Sequence, residues 1–239
     1  MPNSVVNRRI LFCGTQSAPA QWTPADLTNL AFWVKSDTGV TSSGGLVSSW
    51  ADQSGNGRNL DQSDAAAKPT VVANQLNGFA AILFDGIANT MRTTNFSLTQ
   101  PVSIFLIGKH ITWTGGDSLF DGTIDNSGRL FQNGSTPEIV QYSGNFGAST
   151  TGLVLNTFAL VTCIFNGVSS VLQINNNAQS TGDAGNTAMG GFVLGSFATG
   201  AVAFANISAC EVIIQSSVST ADERLLMQTY VTDRYAISM

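Results

Sequence analysis

The chain has 239 residues, 43% hydrophobic and only 10% charged, with ten basic and fifteen acidic side chains and a net charge of -5. Charged residues usually make up about 25%; here Asn, Gln, Ser, Thr and Gly supply the polar remainder, so the surface is neutral and amide-rich. Such a surface excludes nucleic acid as a partner, since no basic stripe can neutralise a run of phosphates, and the apolar runs fall short of the ~18 residues of a membrane span.

In chain order, residues 1–21 show no period. Pro2, Asn3, Ser17 and Pro19 mark an extended arm. Arg8 and Arg9 precede Ile10, Leu11 and Phe12 like the opening of a signal peptide, but the apolar run stops after about three residues where 7 to 15 are needed. Val6, Arg8, Arg9, Leu11 and Phe12 instead suit an arm that orders on a partner; the other reading is that it adds an edge strand to its own sheet. Thr23 followed by Pro24 starts a short helix over 25–30. Asn77-Gly78, Asp85-Gly86, Asp121-Gly122, Asn133-Gly134 and Asn166-Gly167 then punctuate the chain as hairpin turns.

Between these turns, 101–110 places Val102, Ile104 and Leu106 on one side and Phe105 and Ile107 on the other, which predicts a central strand buried on both faces. Segments 153–165, 168–174, 192–194 and 202–214 carry the same signature. Thr220 and Glu223 form a capping box, and Leu226, Met227, Tyr230 and Val231 follow at helical spacing, which predicts a closing helix. Cys13, Cys163 and Cys210 form no C-x-x-C pair and read as buried thiols. The pattern predicts one all-β domain over 22–239: an antiparallel sandwich of two packed sheets with a short N-terminal and a C-terminal helix.

Leu27-Thr-Asn-Leu-Ala-Phe-Trp33-Val-Lys-Ser-Asp37, Val47-Ser-Ser-Trp50-Ala-Asp52-Gln-Ser-Gly55-Asn-Gly57, Pro69, Asn77-Gly78 and Phe84-Asp85-Gly86 resemble the laminin G-like branch of the concanavalin A-like lectin and glucanase superfamily. Ile207, Glu211-Val-Ile-Ile214, Ser219, 221–224, Tyr230 and Arg234-Tyr235 resemble its closing strand and helix. The likeness covers most of 22–237 and is weak between about 112 and 200. It implies a jelly-roll sandwich. The members it brings in are lectins, glycan-hydrolysing enzymes, adhesion modules and stand-alone proteins of tailed bacteriophage particles, so fold alone names no function.

Read residue by residue, Trp33 and Trp50 are core rings, and Asp52 with Gly55 and Gly57 makes an Asx-type turn. Oxygens from Asp52, Ser54 and Asn56 offer calcium only one carboxylate and lack the spacing of a calcium loop, so no metal or cofactor is expected. Glycoside hydrolysis needs two carboxylates about 5 to 9.5 Å apart. Glu138, Glu211 and Glu223 have no acidic partner at i+2, the E-x-D-x-x-E pattern of laminarinase-like members is absent, and Asp117, Asp121 and Asp125 read as turn residues. His110 has no G-x-S-x-G elbow to serve. The expectation is therefore no enzyme.

Ligand-facing candidates are Trp113 and Asp117 in one loop and Tyr142, Asn145 and Phe146 in another, where rings and amides suit sugar contact. The competing reading is that these rings cover the edges of the sandwich. The resemblance, the free thiols, the arm and the missing export signal together predict a non-catalytic structural component of a bacteriophage virion. It would decorate a capsid or tail, held on other virion proteins or its own copies through the arm, with weak contact to host-surface glycan. The alternatives are a carbohydrate-binding lectin module and, second, a divergent glycoside hydrolase.

Overall fold

The computed structural model describes residues 21–134 and 137–239. The arm residues Val6, Arg8, Arg9, Leu11 and Phe12, and Cys13, lie outside the described part. A 3-10 turn at Pro24–Asp26 is held by the Thr23 N–H donating to the Asp26 carboxylate at 2.8 Å. The first seven strands are β1 Leu30–Lys35, β2 Val40–Ser43, β3 Leu46–Trp50, β4 Leu60–Asp61, β5 Thr70–Leu76, β6 Phe79–Asp85 and β7 Met91–Arg92. The middle of the chain supplies β8 Val102–His110, β9 Ser118–Asp121, β10 Arg129–Asn133, β11 Glu138–Tyr142, β12 Phe146–Thr150 and β13 Ala159–Phe165. Then come β14 Ser170–Ile174, β15 Ser180–Gly182, β16 Val193–Leu194, β17 Asn206–Gln215 and the helix α1 Ala221–Tyr235.

The all-β body with its closing helix is as the sequence pattern predicts; the two-sheet sandwich, and with it the jelly roll, is not. All seventeen strands are hydrogen-bonded into one continuous antiparallel sheet that curls into a nearly closed barrel-like wall. Short strands carry the ladder round. β5 reaches β3 through Leu46 and Thr70, β3 pairs with β4, β4 with β7 through Asp61 and Arg92, and β16 joins both β7 and β9. The remaining gap lies between β12 and β15. There the Ser143 N–H donates to the Ala184 carbonyl at 2.6 Å, and Gly147 and Gly182 meet backbone to backbone. A Cβ on Gly182 would sit 2.8 Å from the carbonyl carbon of Gly147, so only glycine allows that approach.

β8 and β17 pair over eight residue pairs along the centre of the sheet and are buried on both faces. Inside the wall, Phe32, Trp50, Phe84, Phe120, Phe165 and Phe192 fill the main core. On the other face, Trp33, Phe105 and Ile213 pack under Met227, Tyr230 and Tyr235 of α1. Each fully buried ring of this kind contributes about 2–3 kcal/mol. The Asn77-Gly78 turn between β5 and β6 has φ of 47° and 83°, the two left-handed residues that a tight hairpin demands. The predicted capping box is present in α1: Thr220 accepts from the Glu223 N–H at 3.1 Å and the Glu223 carboxylate accepts from the Thr220 N–H at 2.8 Å. Strand starts move from the predicted positions where turns intervene. The 153–165 segment becomes strand only from Ala159, and 202–214 only from Asn206. Among the described residues no helix is long and apolar enough to cross a membrane.

Candidate functional site

Alternation along each strand decides which residues face away from the core. Leu60, Met91, Leu194, Phe120 and Leu130 belong to the inner core, so Asp61, Arg92, Val193, Asp121 and Arg129 project from the opposite face. The register aligns these outward residues. Asp61 pairs with Arg92, Arg92 with Val193 and Val193 with Asp121; on the next strand, Arg129 pairs with Tyr142 and Tyr142 with Phe146. At about 4.8 Å per strand the row across seven strands is about 29 Å long.

At one end the row is aromatic. Tyr142 and Phe146 meet edge to face at 5.1 Å between ring centroids, and Phe131 lies 6.1 Å from Phe146. Phe146 is 69% exposed, while Tyr142 is half-buried. The Arg129 guanidinium stacks over Phe131 at 4.2 Å and lies 5.1 Å from the Phe197 ring. It donates to the Ser118 hydroxyl at 2.7 Å and to the Gly116 carbonyl. Its planar fork is thus fixed by stacking as well as by hydrogen bonds.

The centre of the row is a buried acid. Asp121 is fully buried and accepts from the Gly122 N–H at 2.8 Å and the Asn126 N–H at 3.3 Å. Burial raises its carboxyl to about 6, against the opposing pull of these N–H groups and of Arg129. Asp117 is also raised by burial, offset by Thr114 and Arg129. Residues 196–203 lie over this acid: Phe197 stacks toward Arg129 and the Ser196 hydroxyl bonds the Thr90 hydroxyl at 2.7 Å. Arg129 acts on both carboxylates in the direction that releases the proton, so it is burial that lets Asp121 hold a proton near pH 6.

The sequence-predicted residues divide. Tyr142 and Phe146 are brought together on the ledge. Asn145 sits in the turn between them, where its amide reaches the Asp183 carboxylate at 3.3 Å. Asp117 joins the ledge through Arg129. Trp113 does not: it is half-buried against the core, 5.7 Å from His110, with Nε1 donating to the Gly134 carbonyl at 3.3 Å. Asp121 is a buried acid and not the surface turn residue expected from Asp-Gly. Arg129, Phe131, Phe197 and Arg92 were missed altogether; the i, i+2 pair Arg129 and Phe131 on a strand between turn signals was the available clue.

The other buried carboxylate has a different setting. Glu211, the only charged residue of β17, is met from other elements: it accepts from Trp33 Nε1 at 2.5 Å, from Tyr230 at 3.0 and 3.2 Å and from Tyr235 at 2.6 Å, with Arg234 Nε 3.8 Å away. Burial raises its carboxyl and the Tyr235, Trp33 and Tyr230 donors oppose that. This hub ties α1 to the sheet and opens to no face. Asp52 behaves as the turn reading predicts, accepting from the N–H groups of Trp33, Ser54 and Arg58. Among the described residues no group of three or more His, Cys, Asp or Glu side chains is arranged to hold a metal. Cys163 and Cys210 are buried free thiols, each pushed up to about 12 by burial. Burial lowers His110 to about 4, where it pairs with the Gln132 amide at 2.8 Å as a neutral ring.

No protein-family model and no curated protein matches the sequence. The fold does match solved structures. Trypanosoma rangeli sialidase in complex with sialic acid superposes with a TM-score of 0.61 at 10% identity, over 86% of this chain and 33% of that one. A GH54 α-L-arabinofuranosidase soaked with a cyclic sulfate inhibitor gives 0.61 at 14% identity, over 80% of this chain and 51% of that one. The chain thus spans about a third and about half of these proteins, and at such identities the likeness establishes the fold alone. The functional expectation is corrected on these two matches: both are glycosidases, so the reading as a non-catalytic virion structural protein, capsid-decorating or tail-associated and without enzymatic character, is set aside.

Proposed function

We propose that the chain engages a saccharide on the outer ledge formed by Tyr142 and Phe146. The observation that carries this reading is Phe146 itself, a ring 69% exposed yet held edge-on by Tyr142 at 5.1 Å beside the fixed guanidinium of Arg129. A large ring left in water at a defined orientation offers an apolar platform to the C–H face of a sugar. Arg129, Asp117 and Asn145 lie around it to hydrogen-bond hydroxyls. The low-charge, amide-rich surface, the resemblance of the two chain ends to the concanavalin A-like superfamily and the fold shared with glycosidases support the same reading. A broad glycan array probed with the purified chain tests it. Saturable binding to one glycan class is expected, reduced at least about tenfold, about 1.4 kcal/mol, by Phe146→Ala or Tyr142→Ala. A blank array, or binding indifferent to both substitutions, overturns it.

A second reading, glycosidic bond hydrolysis, is favoured by one observation: the Asp121 carboxyl raised to about 6 beside Arg129 and Asp117. A carboxyl protonated near neutrality is the form a general acid requires, with a second carboxylate as base or nucleophile. Residues 196–203 would have to move to admit substrate to Asp121. Release of reducing ends from arabinan or of sialic acid from sialosides, best near pH 6 and abolished by Asp121→Asn, is the expected result; no release from either substrate removes this reading.

A further inference from the structure

The outward row continues past the buried acid to a second open site. Beyond Asp121 and Val193, Asp61, Gln62, Ser63, Arg92, Thr93 and Asn95 line a groove of about 390 Å³, within the range of small-ligand clefts. Two of its lining groups are already engaged: Gln62 Nε2 donates to the Thr90 carbonyl at 2.9 Å, and the Thr93 hydroxyl accepts from the Phe192 N–H at 3.0 Å. They form its rigid wall. Asp61 and Arg92 are different. They are directly opposed across β4 and β7, where opposite charges normally join. Yet among the described residues neither takes part in a salt bridge or a side-chain hydrogen bond, and both are exposed. A carboxylate and a guanidinium side by side and unspent present acceptors and a planar donor fork to neighbouring hydroxyls.

We propose that this groove is a second saccharide subsite, so that the ligand is an oligosaccharide lying across the strands with one end on the Tyr142–Phe146 ledge and the other between Asp61 and Arg92. The inference rests on the reading of the ledge as a sugar platform. It adds the length of the ligand and the groups that measure it. Arg92 and Tyr142 are four strands apart, about 19 Å at the usual spacing, which a single sugar ring cannot bridge. Residues 196–203 lie between the two sites, with Phe197 beside Arg129 and Ser196 on Thr90, so the ligand crosses the face over this loop and meets protein at both ends.

The test is titration calorimetry with arabinan, xylan and β-glucan oligosaccharides of one to six units. With one series, affinity is expected to rise about tenfold between the shortest ligands and the hexamer. Arg92→Ala is expected to remove that gain, the loss of a charge-assisted contact, and Tyr142→Ala to weaken binding at every length. As a check independent of any variant, backbone amide shifts of 61–63 and 92–95 should respond to the hexamer and not to the monomer. If Arg92→Ala matches the wild type at all lengths and those amides stay still while Tyr142→Ala weakens binding, the subsite is overturned and the ledge stands. If no series binds wild type, both fall.

Discussion

Two carboxylates are fully buried in this wall, and they are buried in opposite ways. Glu211 lies under α1, where Trp33, Tyr230 and Tyr235 each place a side-chain donor on it and Arg234 stands behind. Asp121 lies on the other face, held by backbone N–H groups alone, two from its own turn and that of Ala198 from the loop of small residues that covers it, with Phe197 at the loop's edge. Every donor around Glu211 comes from a packed ring or the helix, so the hub resists opening. The cover over Asp121 is a connection between strands that is tied down by the Ser196–Thr90 hydroxyl pair and by the Ser118 N–H donating to the Ala203 carbonyl, with no packed ring or helix placing a side-chain donor on the acid. Burial in itself therefore does not make two carboxylates alike; the origin of their partners sets them apart.

Substitutions can break that contrast, beginning with the largest effect. Glu211→Ala strands three buried donors and Arg234, and is expected to lower unfolding free energy by about 3–5 kcal/mol in urea titration; a loss below 1 kcal/mol would show the hub to be dispensable. Asp121 acts through pH. Its folded pKa is raised to about 6 from about 3.9 in the unfolded chain, so the folded state holds the proton more tightly. Its stabilising contribution is complete below about pH 4 and is lost as pH rises through 6, about 2–3 kcal/mol in all. His110, lowered to about 4 from about 6.5, runs the other way: its contribution is present above 6.5 and is lost as pH falls toward 4. The two slopes overlap, so the Asp121 component is read as the wild-type curve minus that of Asp121→Asn; a flat difference between pH 4 and 7 would remove the acid from the argument.

Smaller effects sharpen the comparison on the outer face. Arg129→Ala removes the stacking on Phe131 and Phe197 and is expected to cost about 1–2 kcal/mol in thermal unfolding. Phe146→Ala touches a ring already mostly in water, so it should change stability by less than about 0.5 kcal/mol while weakening glycan binding at least about tenfold. Equal losses of stability from Phe146→Ala and Arg129→Ala would mean that the ledge is simply part of the core.

Much of the molecule is legible in local pattern. Apolar residues on both faces of 102–110 mark β8 as central, and the Thr220–Glu223 box marks the start of α1 because capping is a contact three residues long. Tyr142 and Phe146 are readable as a cluster because a three-residue turn, Ser143 to Asn145, returns one beside the other. Trp113 misled because its loop position suggests exposure, whereas its indole packs back on the core. Asp121 misled because Asp-Gly describes its turn and says nothing of the 196–203 loop that arrives from 75 residues away to cover it. Arg92 and Asp61 carry no signal at all: each belongs to a two-residue strand, too short for any period.

The sequence by itself determines an all-β body, its closing helix, its low-charge surface and the rings of one hairpin, since each depends on spacing along a few residues. Only the tertiary structure decides that the strands form one curled sheet instead of two and that Asp61, Arg92, Asp121, Arg129, Tyr142 and Phe146 share a single row. A row across strands is fixed by the register between distant segments, and that register is set by packing of the whole core rather than by any stretch of neighbouring residues.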